Sequence, residues 1–157
     1  MDAQAARSGG VSVEGERGYG PVRRVDGRKR HALTDTDGRL PIAAVSSANL
    51  HDSHGGIALL RASRRLWPFL ANCFADRAYR GERVGAATTI TVEIVEPKEG
   101  QKGFAVQPRR WAIEHTFGWI SRYRRLARDH EATPSSALAF FVLAAAMILV
   151  RRMARAL

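Results

Sequence analysis

The apolar and polar positions of this chain predict short strands in its first two thirds and long helices at its end. The first 20 residues hold Gly9, Gly10, Gly15, Gly18 and Gly20 among serines and charged residues, and read as loop. Residues 28–34 and 40–46 read as strands. Between them Asp35-Thr36-Asp37-Gly38 is a turn, because Asp and Gly tolerate the left-handed backbone of a tight antiparallel hairpin. Residues 53–66 read as a helix with Ile57, Leu60 and Leu66 on one face, ended by Trp67-Pro68. Residues 72–76 form a short apolar strand that closes on Asp76.

A short helix is expected over 81–87. Ile90, Val92 and Ile94 then alternate with Thr91 and Glu93 as a strand. A polar loop follows over 96–103, with a short edge strand over 104–106. Ile113, Phe117, Ile120 and Tyr123 recur at helical spacing, which predicts a helix over 109–128. Thr133-Pro134 opens the last helix, Thr as cap and Pro in the first helical position. Strands interleaved with helices in this order imply a mixed α/β layer architecture.

Composition narrows the function. Of 157 residues, 45% are hydrophobic, enough for a core. The net charge is +10, from 25 basic and 15 acidic residues, and 22 of the basic ones are Arg. Guanidinium forks suit phosphate oxygens, so nucleic acid is the leading partner, with a membrane surface or an acidic protein also answering the charge. The single cysteine, Cys73, excludes an intrachain disulfide and reads as a small core residue in a reducing cytoplasm. The longest apolar stretch, residues 137–150, reads as a buried core helix and not as a membrane span.

Two acids stand out. Asp76 ends an apolar strand, where α/β sheets open into ligand crevices; the alternative is a cap for the next turn. Glu114 lies inside a helix near its apolar face; the alternative is a surface pair with Arg110 one turn earlier. Residue type and position leave both pairs of readings open. His31 and His115 read as solvated or packed, and Trp111 and Trp119 as core before base stacking. Arg151, Arg152 and Arg155 suit the negative end of the last helix dipole.

Four segments, in order, resemble one family. Gly27-Arg28-Lys29-Arg30-His31-Ala32-Leu33-Thr34-Asp35-Thr36-Asp37-Gly38 looks like the conserved hairpin of bacterial insertion-sequence transposases of the Asp-Asp-Glu type. Phe74-Ala75-Asp76-Arg77-Ala78-Tyr79-Arg80-Gly81 resembles that family's second-Asp segment. Pro108-Arg109-Arg110-Trp111-Ala112-Ile113-Glu114-His115-Thr116-Phe117-Gly118-Trp119, continued by residues 123–129, resembles its Glu helix. Met1-Asp2-Ala3-Gln4 resembles the first-Asp segment.

The resemblance implies a ribonuclease-H-like fold over residues 21–157, with its first strand largely missing and residues 1–20 as loop after the first Asp. It implies Asp2, Asp76 and Glu114 as a catalytic triad holding two Mg²⁺ or Mn²⁺ ions. The implied activity is cleavage and strand transfer of insertion-element DNA. The alternative is an inactive truncated product that binds DNA or the full-length transposase. Arg28, Lys29, Arg30, Arg109, Arg110, Arg122, Arg124 and Arg125 are the expected DNA contacts. Ser121 stands where the family has a basic residue, with Arg122 beside it. The expected partners are element ends and target DNA, further copies of the chain on that DNA, and a product of an upstream reading frame; no membrane is expected. A helical DNA-binding domain is expected to be absent.

Overall fold

The structure is a computed structural model and describes residues 1–9, 17–22, 24–96 and 108–156. Its centre is the nine-residue strand β3 (Val25–Leu33). Along one edge it pairs antiparallel with β1 (Asp2–Arg7), in register from Asp2 opposite Ala32 to Arg7 opposite Gly27. Along the other edge its first residues pair with β2 (Gly18–Gly20) and its later ones with β4 (Ile42–Ser47), both antiparallel. Two further strands, β5 (Asn72–Ala75) and β6 (Thr91–Ile94), pair in parallel. The Met1 nitrogen donates to the Phe74 carbonyl oxygen at 2.5 Å, which joins the start of β1 to β5. β1, β2, β3 and β4 thus form one sheet and β5 and β6 a second one, with that bond between them.

β1 and β2 correct the expectation of loop over the first 20 residues, and β1 corrects the expectation that the strand of Asp2 is largely missing. Its Ala-rich sequence carries no β-branched residue. The edge of β3 supplies what local propensity lacks, because an unpaired strand edge must find partners. The edge strand expected over 104–106 lies outside the described residues, as does most of the loop before it.

Helices cover both faces. α1 (Asp52–Leu66) packs on one face, in a core with Leu33, Leu59, Leu60, Cys73, Tyr79 and Ile90. On the other face α3 (Pro108–Ser121) and α4 (Pro134–Ala156) enclose Ala32, Ile113, Phe117, Ile120 and Phe141. The short α2 (Glu82–Gly85) lies between β5 and β6 in sequence. The α1 face differs from the expected one: Leu66 is exposed, and Gly55, Gly56 and Ser63 are buried. A Cβ at Gly55 would stand 2.2 Å from the His31 ring, so the missing side chain lets α1 close onto β3. α3 ends at Ser121, earlier than expected, and a separate 3₁₀ turn occupies Arg124–Leu126.

α4 begins as expected, with the Thr133 Oγ1 accepting from the Ser136 N–H at 3.1 Å. At 23 residues it is long and apolar enough to cross a membrane by length and composition alone. Phe141 and Ala144 bury one side against the sheet, while Val142, Leu143, Met147 and Val150 are exposed.

His31 is fully buried, and its Nε2 lies 2.8 Å from the Ser46 Oγ. Burial, only partly offset by the attraction of Asp52, holds its pKa down at about 4 against an ordinary 6.5. The unfolded chain therefore takes up this proton first. The stability contribution is complete above pH 6.5 and is lost as pH falls towards 4, about 3 kcal/mol in all. Denaturant titrations across that window are expected to show the loss, and His31→Gln is expected to flatten it. An equally steep loss in the variant would assign it to other groups.

Candidate active site

Three elements bring acids to one end of the sheet. Asp2 opens β1 and Asp76 directly follows β5. These strands adjoin through the Met1 bond to Phe74. Glu114 comes from α3, whose first turn is held by Arg109. That guanidinium lies 4.5 Å from the centre of the Phe74 ring and pairs with Glu93. Further along α3, the Thr116 hydroxyl donates to the Gly38 carbonyl oxygen at 2.7 Å. Gly38 has φ +74°, the left-handed backbone expected of the hairpin turn. The hairpin and the Glu helix are thereby clamped together.

Arg110 links the acids. Its Nη2 is 3.1 Å from Glu114 Oε1 and 3.7 Å from Asp2 Oδ2. The Asp2 carboxyl is raised above its ordinary range, first by burial and then by the charge of Asp76; the Ala3 N–H and Arg110 oppose the shift. Both bland readings of the sequence are realised here. Asp76 Oδ1 accepts from the Ala78 N–H at 3.0 Å and caps a 3₁₀ turn, and Glu114 does pair with Arg110 across one helical turn. Neither role uses up the group, because an ionised carboxylate has about four acceptor positions. A helix-surface pair also gives no reason for Arg110 to reach Asp2.

All three acids offer hard oxygens, the donors Mg²⁺ and Mn²⁺ take. Among the described residues no three such side chains stand close enough to hold an ion as they are arranged here. Arg110 supplies the positive charge between Asp2 and Glu114. The donor set fits a divalent cation chemically: burial and the nearby Asp76 disfavour the charged form of Asp2, with the Arg110 guanidinium and the Met1 amino group as partial compensation.

Asp2 carries a sign that can be tested. Its folded pKa lies above the unfolded value, so its contribution is favourable at low pH and is lost as pH rises through the folded pKa. Asp2→Asn keeps an acceptor for the Ala3 N–H and removes the charge. It is expected to raise the melting temperature of the metal-free protein at neutral pH, read by calorimetry. A lowered melting temperature would mean that the Arg110 contact outweighs the burial cost.

The expected DNA contacts divide. β3 alternates, so Arg28, Arg30 and Ala32 face the α3–α4 layer while Lys29, His31 and Leu33 face α1. Arg28 is 1% exposed and bonds Asp129 and the carbonyl oxygens of Glu131 and Ala132. Arg30 is 4% exposed and donates to the Leu126 carbonyl oxygen at 2.7 Å. Lys29 pairs with Asp52 at 2.7 Å. These three side chains hold the fold together, which corrects their assignment as a phosphate grip. Arg109 and Arg125 are exposed but paired, with Glu93 and Glu131 respectively. Arg122 and Arg124 are exposed and line a cleft beyond α3.

Sequence reasoning missed two features. Tyr79 is buried, and burial first and then the charges of Asp2, Asp52 and Asp76 push its hydroxyl pKa up; among the described residues that hydroxyl has no hydrogen-bond partner. Its place in the Asp76 segment was the available signal. Trp111, 47% exposed, is not core; it stacks on His115 at 4.3 Å, and His115 meets Trp119 at 3.8 Å. The regular i, i+4, i+8 spacing of these rings was visible beforehand.

Comparison with known proteins places the chain in a family. A putative transposase for insertion sequence element IS402 from Burkholderia cepacia is 26% identical over 139 residues, which cover 83% of this chain and 66% of that protein. No solved structure matches the chain. The family profile described as transposase DDE domain matches residues 1–149, and the chain belongs to that family.

Proposed function

We propose that this chain carries the catalytic core of a DNA transposase, with a ribonuclease-H-like fold and Asp2, Asp76 and Glu114 as its acidic triad. The observation that carries the reading is Arg110, which links the first acid to the third across the end of the sheet where the second one stands. The antiparallel sheet of β1 to β4 beside the parallel pair of β5 and β6, with helices on both faces, supports the fold assignment. The substrates are the ends of an insertion element and a target DNA, handled by more than one copy of the chain.

The three carboxylates would hold two divalent ions of the Mg²⁺ type. When bound, such a pair activates the attacking oxygen and stabilises the leaving oxygen of a phosphodiester. The chain's own residues do the rest. Asp2, whose burial favours the neutral form, would bind a cation as the carboxylate, and so cation binding weakens as pH falls. Asp76 is fixed by its bond to the Ala78 N–H at the end of a buried strand, and Glu114 by a helix docked on β5 and the hairpin. Arg110, relieved of balancing two acids, contacts the phosphate.

The test is a joining assay on DNA bearing insertion-element ends, with Mg²⁺ or Mn²⁺ and with chelator. Products in which a 3′ end is joined to target DNA are expected only with the ions. Joining that continues in chelator would defeat the reading.

A further inference from the structure

Beyond the acids, along the same helix, α3 and α4 end side by side around an open cleft of about 470 Å³. Arg122 and Arg124 enter it from the segment after α3, and Arg151, Arg152 and Arg155 from the last turns of α4. No acidic residue lines it. Among the described residues none of these five guanidinium groups pairs with a carboxylate, in contrast to Arg39, Arg77, Arg80, Arg109 and Arg125. Arg152 bonds the Asp37 carbonyl oxygen at 2.8 Å and lies 4.4 Å from the centre of the Trp119 ring, which fixes it in place without neutralising it. The Tyr123 ring also lines the cleft.

Five like charges around one cleft repel one another. The negative end of a helix dipole offsets about half a charge, so two helix ends together answer about one of the five. The remainder calls for an anion with several charges at regular spacing. We propose that the cleft binds the phosphodiester backbone of DNA, as a second site separate from the acids. Guanidinium forks give two parallel bonds to a phosphate. Arg122 lies eight residues beyond Glu114, and at a helical rise of about 1.5 Å per residue the cleft begins roughly 12 Å from the acids. That is about three to four base pairs of duplex. This spacing rests on the proposed role of the acids: DNA cut at the triad has its backbone in the cleft a few base pairs away.

The experiment measures binding in chelator, so it does not depend on the cutting reaction. A labelled random-sequence duplex is titrated by fluorescence anisotropy over a series of KCl concentrations. The proteins are the full chain, Arg151→Gln/Arg152→Gln/Arg155→Gln, Arg122→Gln/Arg124→Gln, and a control that loses three exposed charges elsewhere, Arg61→Gln/Arg65→Gln/Arg83→Gln. Circular dichroism checks that each is folded. The slope of log K against log salt is expected to fall by about three in the α4 triple variant and by about two in the double variant, with the control nearly unchanged. The double variant keeps the test valid if the triple one misfolds, because Arg122 and Arg124 make no side-chain bond among the described residues. An unchanged slope in both cleft variants, an equal fall in the control, or no binding by the full chain overturns the proposal. So does displacement of the DNA by polyglutamate at matched charge, which would assign the cleft to acidic protein. The proposed role of the acids is judged on metal-dependent joining and stands or falls apart from these outcomes.

Discussion

Asp76→Ala is expected to lower metal-dependent DNA cleavage and joining by roughly three orders of magnitude or more, equivalent to at least about 4 kcal/mol of barrier. The same loss is expected for Glu114→Gln. The difficulty is that Asp76 also caps a turn, through its bond to the Ala78 N–H. Removing a cap costs about 1 kcal/mol of stability, which alone does not abolish activity in a folded protein. Asp76→Asn separates the two roles, because Asn caps as well as Asp yet carries no charge. The account predicts that Asp76→Asn folds with near-normal stability and is as inactive as the alanine variant. Activity retained in Asp76→Asn, in a steady-state nicking assay with Mn²⁺, would make Asp76 a cap and nothing more.

The second large effect is on stability. Arg28 and Asp129 form an ion pair at 3.1 Å with both side chains almost wholly buried. Asp129 joins the segment before α4 to β3, and its backbone N–H donates to the Arg7 carbonyl oxygen of β1. Asp129→Ala takes a shared carboxylate away from two buried guanidinium groups, Arg28 and Arg17, the latter 3.6 Å from it. Breaking such a pair costs about 3 to 5 kcal/mol, a large share of the roughly 5 to 15 kcal/mol that holds a typical domain. Urea unfolding is expected to show a midpoint lowered to match. A midpoint unchanged in Asp129→Ala would place the strength of this corner elsewhere, in the carbonyl bonds of Arg28.

These residues also show where the sequence was legible. The hairpin was readable because Asp35-Thr36-Asp37-Gly38 states its own geometry, and Gly38 does take the positive φ it permits. The start of α4 was readable from Thr133-Pro134, and the strand before Asp76 from a short apolar run. Arg28, Lys29 and Arg30 misled because three adjacent charges look like a solvated face. Only the buried alternation of β3, with Asp129 and Asp52 waiting on opposite sides, shows them as internal. β1 was invisible because its pairing comes from a strand more than 20 residues away, not from its own alanines. The end of α3 was overrun because the apolar spacing continues to Tyr123, although the backbone there has already turned extended. In the site, the segments of Asp76 and Glu114 stood out through their likeness to the family's motifs, since residue type and position left both readings open. The link from Arg110 to Asp2 did not, since it depends on α3 docking across β5.

The account's central claim is that Asp2, Asp76 and Glu114 act as one cation-binding set. The most direct test is a titration of Mn²⁺ into the chain, followed by calorimetry with the protons released counted in buffers of different ionisation enthalpy. The account predicts saturable binding that weakens as pH falls, and loss of that binding in Asp76→Asn and Glu114→Gln alike. Binding equally strong in both variants, or no saturable binding in the unaltered chain, would contradict it.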